Sequence, residues 1–230
     1  MYLRRCNEAR QAIDRTLALA PDNLNRISQK LQILLCSGDV AGARALVAET
    51  SRRIGPAEAA AHFSGGFEWL LDADNFALLR RLTPPAFDGD EAYWAYSQAW
   101  AAWRAGDSAA AHDYAEKAVP LHEAQARSAP RAAVVYASLG EMLAMVGRKD
   151  EAIREAVRAT EIDPSPFSGA GIVRLLAQTY MLAGEPDKAI DTLERLLKMP
   201  YFMTPAWLAV DPTYDSLRSH ARFQKLVAGK

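Results

Sequence analysis

Apolar residues recur along this chain at spacings of three and four, in blocks set apart by glycine or proline. The clearest block is 133–164. Before Gly147, Tyr136, Leu139, Gly140 and Leu143 fall on one stripe. After it, Ala152, Ala156 and Ala159 fall on another, and Pro164 closes the block. Such spacing predicts two amphipathic helices joined by a tight turn. Gly140 and the three alanines are small where two helix backbones must come close. An αα-hairpin of this length cannot bury its own apolar face, so it needs similar hairpins beside it.

The chain supplies them. Ala9, Ala43, Ala77 and Ala111 follow at intervals of 34 residues, then Ala152 after 41 and Ala189 after 37. Gly38, Gly106, Gly147 and Gly184 each lie five residues before one of these alanines, and Asp72 takes that slot in the weak unit. The spacing predicts helix pairs over 24–56, 57–85, 92–120, 133–164 and 170–201. Residues 5–20 read as a second helix without its first. That suggests a piece of a longer protein, or a neighbouring domain over the open face. In 57–85 the second helix, around Asn75 to Leu82, is cut short by Thr83-Pro84-Pro85. The longer steps predict a second helix extended past Pro120 and a turn-rich connection at Ser165–Gly169. Asp39 and Asp107 are placed as N-caps, and Pro56 and Pro186 suit first helical turns. In the tail, Thr204-Pro205 opens a short helix with Trp207 and Leu208, Asp211-Pro212 breaks it, and Ser219 is expected to cap a last helix.

A 34-residue helix–turn–helix period with this small–Leu–Gly–aromatic pattern, alanine ladder and closing proline resembles the tetratricopeptide repeat (TPR) family. The resemblance implies an all-α fold: a right-handed superhelix, or α-solenoid, of helix–turn–helix repeats. It divides the chain into a half-repeat over 1–21, an array over 22–203 and a C-terminal capping segment over 204–230. The tail pattern Trp207-Leu208, Asp211-Pro212, Asp215, Leu217-Arg218 and Arg222-Phe223 is similar to the tail of TPR regions in certain bacterial signalling proteins. There the array follows a serine/threonine kinase, a cyclase or a DNA-binding regulator domain.

The resemblance also implies a concave groove lined by first-helix residues 13, 10, 6 and 3 positions before each turn glycine. These are Asn25, Ser28, Gln32 and Leu35; Ala59, His62, Gly66 and Trp69; Tyr93, Tyr96, Trp100 and Trp103; Val134, Ala137, Glu141 and Ala144; and Gly171, Arg174, Gln178 and Met181. In YWAYSQAWAAW, Ala95, Ala99 and Ala102 take the packing stripe, leaving four aromatics on the other. Tyr93, Tyr96, Trp100 and Trp103, with Trp69, are therefore candidates to grip an apolar or proline-containing segment. Equally, these rings can fill the gap left by the short helix at 75–82. Glu141 and Arg174 are expected to pair across the groove, with Gln178 beside them.

Composition narrows the reading. A net charge of −1 gives no electrostatic case for nucleic acid or anionic lipid. No apolar run reaches the ~18 residues of a membrane span, and MYLRRCNEAR, with no apolar stretch behind its arginines, is not expected to act as a signal peptide. Cys6 and Cys36 are expected to be buried thiols in a reducing, cytoplasmic compartment. His62, His112, His122 and His220 are scattered, with no ligand spacing for a metal, and no nucleotide or nucleophile motif is present. No enzyme activity, metal or cofactor is expected. The expected function is protein–protein interaction within a bacterial signalling or regulatory system. The alternatives are a sensor of a small apolar ligand and self-association into a homodimer through the face of Ala9 and Ile13.

Overall fold

Short polar side chains fix many of the helix starts. In the computed structural model, which describes residues 5–229, Asp39, Asp90 and Asp107 accept hydrogen bonds from the backbone N–H groups of Gly42, Tyr93 and Ala110. Asn23 and Asp72 do the same for Arg26 and Asn75. Each satisfies a donor that the first turn of a helix leaves open.

The helices that follow are α1 (Cys6–Leu19), α2 (Leu24–Cys36), α3 (Val40–Ile54), α4 (Pro56–Phe63), α5 (Ala73–Leu79), α6 (Glu91–Arg104) and α7 (Ser108–Ser128). After them come α8 (Ala133–Met145), α9 (Lys149–Ile162), α10 (Ala170–Leu182), α11 (Pro186–Lys198), α12 (Pro205–Val210) and α13 (Ala221–Val227). Three 3-10 turns, Glu68–Leu70, Pro84–Phe87 and Pro212–Leu217, complete the order. The pairs α2/α3, α4/α5, α6/α7, α8/α9 and α10/α11 are the five hairpins, and no strand occurs among the described residues.

Gly38, Gly106, Gly147 and Gly184 turn the hairpins with φ between +74° and +81°, a left-handed conformation that favours glycine. Gly140 serves a different need. A Cβ there would lie 2.9 Å from both Ala152 O and Ala156 Cβ, so glycine lets α8 press onto the backbone of α9. Ala43, Ala111, Ala152 and Ala189 are all buried, each four residues after its N-cap. The weak unit departs from the ladder. Asp72 is itself the N-cap of α5, which shifts the register by one. Phe76 then packs on the core while Ala77 is exposed. α7 runs 21 residues with Pro120 inside it.

Three expectations need correction. Cys6 and Cys36 are not separate thiols: they form a disulfide that ties α1 to the end of α2, and the case for a reducing compartment loses its premise. The last helix is capped by His220, whose side chain accepts from the Arg222 N–H, one residue beyond Ser219. Ile13 is 6% exposed within the chain itself, so it is not part of an open face on α1.

The C-terminal segment closes the stack. α13 covers α11, with Arg222 meeting Asp191 and Glu194. The stretch before it crosses the concave face to the first hairpin. Thr204 Oγ1 donates to Cys36 O at 2.7 Å and accepts from the Trp207 N–H, while Ala206 lies against Gly38. Arg104, the last residue of α6, donates to Thr213 Oγ1 at 2.9 Å. Phe202 stacks on Trp207, which in turn meets Phe67. One buried core therefore joins Ile27 and Leu31 of α2 to Tyr214 and Phe223 of the tail.

A cavity on the concave face

The first helices α2, α4, α6, α8 and α10 turn polar side chains toward one another across the concave face. Ser28 Oγ and His62 Nε2 lie 2.8 Å apart. The Tyr96 hydroxyl donates to Glu141 Oε2 at 2.7 Å, and Arg174 Nη1 donates to Gln178 Oε1 at 3.0 Å. Glu68 is buried, accepting from Arg104 Nε at 3.0 Å and from the Gly66 N–H at 2.9 Å. Fully apolar contacts cannot hold such groups: Tyr96 and Glu141, and Arg104 and Glu68, pair between repeats, while Gln178 is paired by Arg174 one turn back on its own helix.

The aromatic stripe of α6 is divided along its length. Trp100 and Trp103 meet edge to face at 5.3 Å, and Trp100 is 5% exposed. Trp69 is also buried. These three belong to the packing between hairpins. Tyr93, by contrast, is 37% exposed and stacks on Tyr96, with ring centres 6.5 Å apart. Gly65 permits this arrangement, because a Cβ there would stand 2.7 Å from the Tyr93 hydroxyl.

Tyr93 and Tyr96 border a cavity of about 480 Å³. Its other walls are His122 and Gln125 from the end of α7, Val134 and Val135 from the start of α8, and Arg174 and Leu175 from α10. The cavity lies at the edge where one hairpin hands over to the next. The tail crosses the concave face to the opposite, turn-glycine edge. Behind the cavity a space of about 130 Å³ runs beneath Phe202 and Trp207, and a smaller one touches Trp100 and Gln178; Arg174 lines all three.

Of the residues singled out in the sequence, the structure brings Tyr93, Tyr96 and Arg174 into one cavity wall. Gln178 and Glu141 sit behind it, 5% and 0% exposed. No ion pair joins Glu141 to Arg174 among the described residues; Glu141 takes the Tyr96 hydroxyl instead. Pattern reading did not place His122, Gln125 or Leu175. The signal for the first two was the 41-residue step, since the extra length of α7 carries them to the cavity.

Protonation follows burial. Glu141 is pushed up to about 7 by removal from water, offset in part by the Tyr96 hydroxyl and Arg174. Tyr96 is raised well above its usual range by the same burial and by the nearby Glu141 charge, which keeps it a hydrogen-bond donor. Burial lowers His122, so its ring is neutral near pH 7 and pairs with Gln125 at 3.0 Å. The wall thus offers one cation, a neutral imidazole, two phenol rings and aliphatic faces: groups that hold a ligand.

The tetratricopeptide repeat family model matches residues 94–117 and 172–195. Those segments cover most of α6 with the start of α7, and α10 with most of α11. No curated protein matches the chain. Among solved structures, the crystal structure of MamA protein is similar at 15% identity and a TM-score of 0.27, over 94% of this chain and 86% of that one. The crystal structure of YrrB, "a TPR protein with an unusual peptide-binding site", is similar at 17% identity and a TM-score of 0.36, over 83% and 93%.

Proposed function

We propose, from the premise that this chain carries tetratricopeptide repeats, that it is a non-catalytic interaction module docking a segment of a partner protein at the mouth of the concave cavity. One observation carries the reading. Two large apolar side chains, Tyr93 at 37% and Val134 at 57% exposure, stand open in the lining of a cavity of about 480 Å³. Exposed aromatic and aliphatic groups around a concavity mark binding sites. The tail occupies the rest of the concave face, so a partner segment enters from the connection edge, and the cavity takes one or two of its side chains. Trp69, Trp100 and Trp103 support this site from beneath.

The same cavity supports a second reading, a sensor for a small apolar ligand, because its volume lies within the range of small-molecule pockets. The tail resemblance favours a place in a larger bacterial signalling protein. No helix among the described residues is long and apolar enough to cross a membrane. A self-association surface, if the chain forms a homodimer, is reduced on α1 to residues such as Leu19, 89% exposed.

The test is selection of binding peptides from a random display library with the full chain as bait. Selected peptides are expected to lose about tenfold or more in affinity on Val134→Asp with the unfolding temperature unchanged, and on Tyr93→Ala in a chain that stays folded although it loses the ring packed on Tyr96 and Phe87. Failure to enrich any sequence, or peptides indifferent to both substitutions, overturns the docking reading. A copurifying small compound displaced by neither peptide nor partner favours the sensor.

A further inference from the structure

Two arginines reach the concave face from first helices, and their surroundings differ. Arg104 is neutralised by Glu68 at 3.0 Å and also holds Thr213. Arg174 is half-buried, and among the described residues its side-chain hydrogen bonding is a single contact, Nη1 to Gln178 Oε1. A guanidinium carries five N–H donors in a planar fork suited to a carboxylate. The nearby carboxylate, Glu141, forms no ion pair with Arg174 among the described residues and is itself pushed toward its neutral form by burial, so the partly desolvated guanidinium has donors left for an arriving anion. Arg174 stands in the wall of the large cavity, beside Leu175 and across from Tyr93, Tyr96 and Val134.

We infer that the cavity selects a carboxylate borne on an apolar or aromatic body, with the anion seated against Arg174 and the body held between the tyrosine rings and the aliphatic wall. This rests on the reading of the cavity as the docking point and names the chemistry it takes. The volume, about 480 Å³, suits a phenyl-sized group with a short acidic arm. Such a group comes either from an acidic residue beside an apolar one in a partner segment or from a free organic acid. Asp90, the acidic residue of the lining, is engaged as the N-cap of α6 through the Tyr93 N–H.

Glu141 reports on the bound anion. It faces Tyr96 and Trp100 of α6, Arg174 of α10 and, more distantly, Glu68 of the 3-10 turn. Arg174 is the cation that favours its ionised form. An anion placed on Arg174 cancels that help, so Glu141 takes up a proton when the ligand binds near neutral pH.

The probes are 3-phenylpropionate and its neutral isostere 3-phenylpropionamide, titrated into the full chain by NMR and calorimetry. The acid is expected to bind about tenfold or more tightly than the amide. Arg174→Gln erases that preference and Arg174→Lys keeps part of it. Titrations near pH 7 in two buffers of different ionisation enthalpy show net proton uptake, which Glu141→Gln removes. Equal binding of acid and amide by the unaltered chain overturns the inference with no need of a variant, as does a preference that survives Arg174→Gln in a folded protein. Selected peptides are compared with versions in which Asp or Glu becomes Asn or Gln. Peptides that bind without caring about this change overturn the carboxylate inference and leave the docking reading standing. Acid binding with no peptide enriched does the reverse, and a cavity that binds neither overturns both.

Discussion

At the scale of single residues, position relative to the stack decides whether a polar group is ordinary or costly. Glu141 is fully buried, and its carboxyl is raised from the usual range to about 7 by desolvation. The folded chain therefore holds this proton between about pH 4.5 and 7, where the unfolded chain has released it. Stability tied to this group is full below that window and is lost as pH rises through 7, a difference of roughly 3 kcal/mol. The glutamine variant cannot ionise. Glu141→Gln is expected to match the parent in unfolding temperature near pH 5 and to exceed it by several degrees at pH 8. Burial shifts His62 and His122 in the opposite sense, but both proteins share them, so they cancel in the comparison. A temperature difference that does not vary with pH would show that the carboxyl is not buried as described.

At the scale of elements, the hairpins differ in what holds them. The 133–164 unit relies on contact between backbones, with Gly140 open to Ala152 and Ala156. The weak unit trades that contact for a seven-residue helix, α5, and a 3-10 turn over Pro84–Phe87. Trp94 reaches into the gap, donating from Nε1 to Leu82 O at 2.8 Å, which is how α6 packs beside so short a neighbour. α1 is a single helix paired with α2, and its surface is mostly exposed. The Cys6–Cys36 bridge encloses a loop with a sequence separation of 30, worth about 3–4 kcal/mol in the chain-entropy account. Reduction is expected to release α1 first. Hydrogen exchange over Cys6–Leu19 rises sharply in dithiothreitol, while α8 and α9 keep their protection. Uniform loss of protection along the chain would contradict this picture.

At the scale of the whole molecule, the tail makes an array into a closed unit. An open solenoid interacts only between neighbours and can unfold in steps. Here Thr204 meets Cys36 across a separation of 168 residues, and Arg104 meets Thr213. The first hairpin and the last segment share one buried core. Thermal unfolding is accordingly expected as one cooperative transition, followed alike by far-ultraviolet and tryptophan signals. Trp207→Ala, which removes a ring 4% exposed from between Phe67 and Phe202, is expected to lower stability by about 3–5 kcal/mol. It should loosen α2 as well as the tail; loss of protection confined to the tail would show that the two ends are independent.

What was legible in the sequence is what depends on local spacing. Turn glycines, N-capping aspartates and the small-residue ladder report the backbone conformation and closest approach of residues within one hairpin. From them follow the helix pairs, the shortened second helix before Pro84 and the extension of α7 past Pro120. The concave positions came from the family resemblance rather than from the spacing, and of them the structure brings Tyr93, Tyr96 and Arg174 to one cavity wall. Decisions that join residues far apart in the chain were not legible. The pairing of Cys6 with Cys36 depends on the angle at which α1 meets α2. The division of the α6 aromatics into buried Trp100 and open Tyr93 depends on how the neighbouring hairpins pack against α6, and the path of the tail depends on its contacts with the first hairpin and the end of α6. Sequence periodicity determines which face each helix turns inward. Only the closed tertiary structure decides which part of that inner face is left open, because that depends on which distant segment reaches it.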